Sequence, residues 1–444
     1  MHLLRTRAMP LSILMLVLGA VSMTALHVGA HPELSPVDEL QHIDYLYKAP
    51  AVVHSGETVG QDAMREQACR GLATWPQTAA CSTSATYDPA DFQEGGNNTA
   101  AIYTPLYYSV TKALALPIKA VTGLDSLVTA GRLVGGLWLA GGLVMALLAA
   151  RRLGAHPYVA TAVLLAAAST PAVLLPAATI TPDAAALLGG AALLWSILWW
   201  QDSPGRRWWL PMVLAAAVVA LKALNILIVV VVALYVLLRA VVDQVQRRRD
   251  AGAVVTGPRP AQAAGLIGAM SVLALGMAIG YIAYTGVSAV ADTSAVAMTE
   301  RTTVDSFPLR ATVEHLGVFV NVFFDAGSWN TMDFVGALSQ RLLGLMTVGG
   351  VFGAIFVLRD ASRTLRLTAI SLLVVGTLGA PMIMAFSYLS QGIAVPIPGR
   401  YALSLIPAGV AVTAAAIRGR TASWAIAAIG FGCWALSMAF LIDS

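Results

Sequence analysis

Apolar runs alternate with polar connections along most of the chain. All but one of the eleven runs hold at least 16 residues, and about 20 apolar residues in a helix cross the roughly 30 Å hydrocarbon core of a bilayer. They cover residues 10–30, 128–150, 156–176, 183–200, 210–221, 224–240, 263–285, 341–358, 367–390, 402–417 and 422–441. The pattern predicts an all-α polytopic membrane protein with about eleven transmembrane helices.

Two runs have alternative interpretations. The run 10–30 follows Arg5 and Arg7 and is predicted to be a retained first helix, with a cleaved signal peptide as the alternative. Residues 210–240 are interrupted by Lys222 and Asn225, which are costly inside a membrane. Two short helices with Lys222 at the tip of their hairpin are therefore favoured over one long tilted helix.

The chain is predicted to be a single transmembrane domain, 1–444, which the polar regions subdivide into helices and loops. The first helix is followed by an extracytoplasmic loop, 31–127, in which an amphipathic stretch from Tyr103 to Gly123 suits a helix lying in the membrane interface. The remaining divisions are transmembrane helices 2–7 over 128–285, a second large extracytoplasmic loop over 286–340, and transmembrane helices 8–11 over 341–441.

Composition and charge agree with this arrangement. The 444 residues are 58% hydrophobic and 11% charged, about half the charge of a soluble protein, and the net charge of +4 comes with no nucleic-acid-binding motif. An eleven-helix topology with the N-terminus inside places 16 of the 27 Lys and Arg residues, but only four of the 23 acids, on the cytoplasmic side. This agrees with the positive-inside rule and predicts a multi-pass plasma-membrane protein whose active site is extracytoplasmic.

The three cysteines carry little further information. Cys69 and Cys81 both lie in the first outer loop, where an oxidising compartment permits a disulfide between them. There is no Cys/His cluster with metal-ligand spacing, no cofactor is predicted, and a divalent metal is left open.

The first outer loop begins with the most informative motif, Ser35-Pro36-Val37-Asp38-Glu39-Leu40-Gln41-His42. Ser35 as cap and Pro36 at the first position predict a helix start, in which Asp38 and Glu39 both reach the imidazole of His42. One interpretation is a capping box between Ser35 and Asp38. The other is catalytic, with Asp38 as a general base for a sugar hydroxyl and His42 orienting it.

Several charged residues are expected at the same outer face. Arg132, Lys222 and Arg400, the last followed by Tyr401, either anchor the helices at the headgroups or converge as a clamp for phosphate. Thr181-Pro182-Asp183 begins the fourth span, and a cap, a first-turn proline and an acid near the helix N-terminus explain it without a function.

The order of these motifs resembles the glycosyltransferase C superfamily, and the resemblance covers nearly the whole chain. It is closest to bacterial, especially actinobacterial, membrane proteins with a Pro-Asp-Glu-x-x-His first loop, and the architecture is similar to that of protein mannosyltransferases and aminoarabinose transferases. The motifs are Pro36-x-Asp38-Glu39-x-x-His42, Thr104-Pro105-Leu106-Tyr107-Tyr108, Arg132-Leu133, Thr181-Pro182-Asp183, Lys222 and Gly399-Arg400-Tyr401. Val37 is inserted in the first motif, and Thr104 stands where proline is usual.

The resemblance implies a multi-helix bundle and an enzyme that uses a polyprenyl-phosphate sugar. Asp38 would be the base and Glu39 its partner. The lipid phosphate would be bound by Arg132, Lys222, Arg400 and Tyr401, with Asp183 and Tyr107 supporting the site. The sugar, arabinofuranose or mannose, would be transferred with inversion to a cell-envelope glycan, glycolipid or protein. A transporter or flippase of lipid-linked sugars and a non-catalytic assembly scaffold are the alternatives.

Overall fold

A computed structural model describes residues 2–73, 79–202, 206–249, 257–290, 302–321, 323 and 334–443. These residues contain helices, turns and isolated bridges but no β-strand. The fold class is therefore the expected one. Within the described ranges, the sixteen α-helices are α1 His2–Ala30, α2 Glu39–Lys48, α3 Gln61–Arg70, α4 Leu106–Thr122, α5 Leu127–Leu153, α6 Pro157–Ala168, α7 Pro171–Ala178, α8 Asp183–Trp200, α9 Trp209–Leu221, α10 Ile226–Arg249, α11 Pro260–Val287, α12 Leu309–Glu314, α13 Phe334–Phe352, α14 Arg363–Gln391, α15 Ile406–Ala416 and α16 Arg420–Asp443.

All eleven apolar runs are helical, although they differ in their capacity to cross a membrane. In the described ranges, nine helices are long and apolar enough to do so. The run 156–176 forms α6 and α7, which are bent by 66° across a short break and count together as a tenth span. Helix α9 is also apolar, but its 13 residues make it shorter than these spans. The protein is therefore a multi-pass membrane protein.

The interruption at Lys222 separates two helices, as predicted. Helix α9 ends at Leu221, Lys222 is extended, and a 3₁₀ turn from Ala223 to Asn225 leads into α10. The Asn225 amide donates to the Val218 carbonyl (3.1 Å), and Thr104 of the first loop donates to the Ala220 carbonyl (2.6 Å). These two carbonyls at the C-terminus of α9 thus accept hydrogen bonds from side chains of the protein.

The first loop is folded around an apolar cluster that it shares with α5 and α8. Leu40, Ile43 and Tyr45 of α2 are fully buried in it. The Asp44 carboxylate accepts from Gly60 N (2.8 Å) and Asn98 Nδ2 (2.6 Å), which joins three parts of the loop. Cys69 and Cys81 form the predicted disulfide.

Charged contacts join the helices at the other end of the bundle. The Asp243 carboxylate of α10 is fully buried and accepts from Arg239 Nε (2.8 Å) and Arg363 Nη1 (2.8 Å), so it links α10 to α14. Arg152, at the end of α5, pairs with Asp202 after α8. Arginines of the predicted clusters therefore form ion pairs between helices, whereas their cytoplasmic location stays a prediction.

Candidate functional site

A buried ion pair joins the first loop to the helical bundle. Arg132 of α5 donates from Nε to Glu39 Oε1 (2.9 Å) and from Nη2 to Glu39 Oε2 (2.7 Å), and both side chains are at most 2% exposed. The same carboxylate accepts from the backbone N–H groups of Ser35 (2.7 Å) and Ile180 (3.0 Å). Glu39 therefore satisfies four donors from three separate segments, which compensates its desolvation.

The loop preceding α2 differs from the sequence prediction. The helix begins at Glu39, so Asp38 is its N-cap rather than its third residue. The backbone N–H of Ser35 donates to Glu39 instead of to Asp38. The prediction that both carboxylates reach His42 is wrong, because Glu39 turns toward Arg132. Asp38 has φ 57°, a left-handed conformation that Asp and Asn adopt more readily than most residues.

Four charged side chains meet beside this loop, and we call Asp38, Asp183, Lys222 and Arg400 the charged cluster. Lys222 Nζ donates to Asp183 Oδ1, and both side chains are at least 90% buried. Arg400 Nη2 lies 3.6 Å from Asp38 Oδ2. The ring of Tyr401 joins the two pairs, with Lys222 Nζ at 5.3 Å and Arg400 Cζ at 5.9 Å from its centroid. As ionised groups, the four sum to zero charge.

His42 lies behind the cluster in a layer of aromatic rings. Its Nδ1 shares a 2.7 Å hydrogen bond with the Tyr108 hydroxyl, and the ring centroid is 5.4 Å from that of Tyr103. Burial lowers the pKa of His42 to about 3, with Lys222 and Arg400 adding to the effect and Asp183 opposing it. The imidazole is therefore neutral at physiological pH.

Tyr107, which was predicted to support the site, directly precedes Tyr108 in the first turn of α4. Its hydroxyl accepts from Thr181 N (3.3 Å), just before α8 begins. Thr181 Oγ1 in turn accepts from Asp183 N (3.4 Å). Tyr107 thus contacts the segment that positions Asp183.

A cavity of about 80 Å³ opens beside the charged cluster. Asp183 and Arg400 line it together with Arg132, whereas Asp38 does not. Its lining also includes apolar side chains of α7, Leu175 and Pro176, and the polar residues His27, His31, Glu33, Thr179 and Thr181. The cavity is therefore amphipathic, with cationic side chains adjoining an apolar wall.

The predicted phosphate ligands fall into two groups. Lys222, Arg400 and Tyr401 come together in the cluster. Arg132 also lines the cavity, but its Nε, Nη1 and Nη2 groups all donate within the protein, to Glu39 and to the carbonyls of residues 31–33. Its hydrogen-bonding capacity is already used to hold the loop.

Sequence reasoning missed three ionisable residues of the cavity. His27 lies in the last turn of α1 and His31 directly follows the helix, with ring centroids 4.5 Å apart, and Glu33 comes two residues later. The His27-x-x-x-His31 spacing was the available signal, because residues four apart share a helix face. As for the open question of a metal, the described side chains include no group of three or more His, Cys, Asp or Glu residues arranged to hold an ion.

One family model matches most of the chain. The model of the family described as "Predicted membrane protein (DUF2142)" matches residues 51–409. The chain belongs to this family. The matched region contains Arg132, Asp183, Lys222, Arg400 and Tyr401, whereas Asp38, Glu39 and His42 precede it. No curated protein and no solved structure matches the chain.

Breaking the Glu39–Arg132 pair is expected to destabilise the protein strongly. Glu39→Gln leaves a buried guanidinium without its counter-ion, which costs about 3–5 kcal/mol. Thermal unfolding in detergent should show a large loss for this variant. Asp62→Asn is the matched control, because Asp62 and its partner Arg65 are 65% and 37% exposed and such pairs contribute less than about 1 kcal/mol. Equal losses for both variants would contradict the assignment.

His42 is expected to make stability depend on pH. Below its ordinary pKa of 6.5 the unfolded chain takes up a proton that the folded chain, with a pKa of about 3, does not bind. As the pH is lowered from 6.5 toward 3, the free energy of unfolding should therefore fall by up to about 1.4 kcal/mol per pH unit. Melting curves between pH 7 and pH 5 test this, with His42→Gln expected to remove part of the slope. An unchanged slope in the variant would show that other groups cause it.

Proposed function

We propose that the protein is a membrane glycosyltransferase that uses a polyprenyl-phosphate-linked sugar. The supporting observation is the convergence of Lys222, Arg400 and the Tyr401 ring beside Asp38, next to an amphipathic cavity. Two cations suit the phosphate of the donor, and the apolar α7 wall suits the start of its lipid chain. The likeness to the glycosyltransferase C superfamily points to the same chemistry and favours arabinofuranose or mannose as the sugar.

In the proposed reaction, Asp38 is the general base, and Lys222 and Arg400 stabilise the leaving group. Asp38 accepts the proton of an acceptor hydroxyl while that oxygen forms a bond to the anomeric carbon of the sugar. The bond from the anomeric carbon to the phosphate oxygen breaks, and its electron pair leaves with polyprenyl phosphate, which gains one negative charge. Lys222 and Arg400 stabilise that charge. Direct displacement inverts the anomeric centre.

The same proposal sets the location of the site. The protein would lie in the plasma membrane with its N-terminus in the cytoplasm, so the charged cluster would face the extracytoplasmic side. The lipid-linked donor would enter from the membrane, and a cell-envelope glycan, glycolipid or protein would be the acceptor.

Asp38→Asn is expected to lower sugar transfer by about 10²- to 10⁴-fold, the usual contribution of a general base. Asparagine also adopts the left-handed conformation of residue 38, so the loop should keep its structure. The measurement is transfer of label from polyprenyl-phosphate mannose and polyprenyl-phosphate arabinofuranose in membranes containing the protein. Unchanged transfer would exclude Asp38 as the base, and the melting temperature serves as the control for folding.

Arg400→Gln is expected to weaken binding of undecaprenyl phosphate by about ten- to hundredfold, because a hydrogen bond to a charged group is lost. Arg418→Gln, at the opposite end of the same helical segment, is the matched control and should bind as the wild type does. Binding is measured as the rise in melting temperature with added lipid. Uncharged undecaprenol should produce little stabilisation, and equal stabilisation by both lipids would contradict a phosphate clamp.

One observation favours a second candidate, a transporter or flippase of lipid-linked sugars. The 66° bend between α6 and α7 is a broken membrane helix, a feature common in transporters, and α7 lines the cavity. Reconstituted vesicles distinguish the two candidates. Movement of the lipid-linked sugar across the bilayer without a glycan product would favour the transporter.

A further inference from the structure

His31 and Glu33 form a polar pair in the cavity lining that no part of the proposed reaction uses. His31 Nδ1 lies 3.4 Å from Glu33 Oε1, and the two side chains are 30% and 29% exposed. Both residues line the cavity that Arg400 and Asp183 also line. The pair is therefore accessible to a bound molecule without being on the open surface.

The backbone that carries this pair is fixed from two sides. Arg132 donates to the carbonyls of His31 (3.1 Å), Pro32 (3.4 Å) and Glu33 (2.8 Å). The next residue, Leu34, donates from its N–H to Gly71 O (3.0 Å) and accepts from Ala73 N (2.9 Å). The pair is thus held in place before any ligand arrives, which lowers the entropic cost of binding.

The free atoms of the pair suit hydroxyl groups. Among the residues that the structure describes, Glu33 Oε2 and His31 Nε2 have no hydrogen-bonding partner. A carboxylate oxygen accepts hydrogen bonds, and the imidazole nitrogen donates or accepts according to its tautomer, whereas a hydroxyl does both. Neighbouring hydroxyls of a sugar ring can therefore bind to the two side chains together.

Charge separates this part of the cavity from the phosphate clamp. Glu33 repels an anionic phosphate, while Arg400 attracts it. We propose that His31 and Glu33 form the acceptor subsite of the cavity and bind a polyhydroxyl glycan through its sugar hydroxyls. This inference rests on the proposed function, because it assigns the second substrate of the same site.

The test is protection of His31 from ethoxycarbonylation by diethylpyrocarbonate, followed by mass spectrometry of the purified full-length protein. The probes are octyl mannobioside, octyl arabinofuranobioside and undecaprenyl phosphate. At least one glycoside is expected to slow modification of His31 about tenfold at ten times its dissociation constant, as mass action requires. Undecaprenyl phosphate is expected to leave the rate unchanged.

Two controls make the result specific. His156, at the start of α6 on the opposite end of the bundle, should be modified at the same rate with every probe. Glu33→Gln should raise the dissociation constant of the protecting glycoside about tenfold, because a hydrogen bond to a charged group is replaced by a neutral one. Its binding of undecaprenyl phosphate should match the wild type.

The outcomes separate this inference from the function on which it rests. Absence of protection by both glycosides, or protection by undecaprenyl phosphate alone, overturns the acceptor subsite. If undecaprenyl phosphate still binds in an Arg400-dependent manner, the proposed donor site stands in either case. If undecaprenyl phosphate does not stabilise the protein at all, the proposed function itself fails.

Discussion

The four-donor contact of the Glu39 carboxylate is the constraint on which the geometry of the site depends. It binds the guanidinium of α5, the backbone ahead of α2, and the backbone between α7 and α8. Each segment would otherwise leave a buried donor unsatisfied, and unpaired buried charge is among the most costly features a protein can contain. One carboxylate therefore ties the polar loop to two separate parts of the apolar bundle.

The conformation of Asp38 follows from that contact. Glu39 must turn inward to reach Arg132, and the residue before it takes up the change in chain direction by adopting a positive φ. Asp38 is thereby directed away from its own helix and toward Arg400, which belongs to a segment more than 350 residues later in the chain. The interaction that holds the loop thus also brings together the two ends of the sequence at the charged cluster.

Sequence reasoning predicted those features that depend on local pattern. The apolar runs gave the helices, and Lys222 with Asn225 marked the break between α9 and α10, because a cation and an amide in mid-membrane need such a break. The Cys69–Cys81 bond followed from the loop that contains both cysteines. The direction of Glu39 could not be predicted, because two adjacent carboxylates look alike in sequence and only the position of Arg132 distinguishes them. His31 and Glu33 were missed for a related reason, since their significance comes from a cavity that five separate segments of the chain enclose.

The charge balance of the charged cluster determines how a phosphate would bind to it. With two acids and two bases already paired, a bound phosphate competes with Asp38 and Asp183 for the two cations. Lys222 and Asp183 are at least 90% buried, so separating them exposes an uncompensated charge to low dielectric. Arg400 and Asp38 are 3.6 Å apart, with side chains 26% and 48% exposed, and separate at lower cost. Under the proposed reaction, the phosphate would therefore take Arg400 from Asp38, and binding of the donor would itself release the carboxylate that must accept the proton.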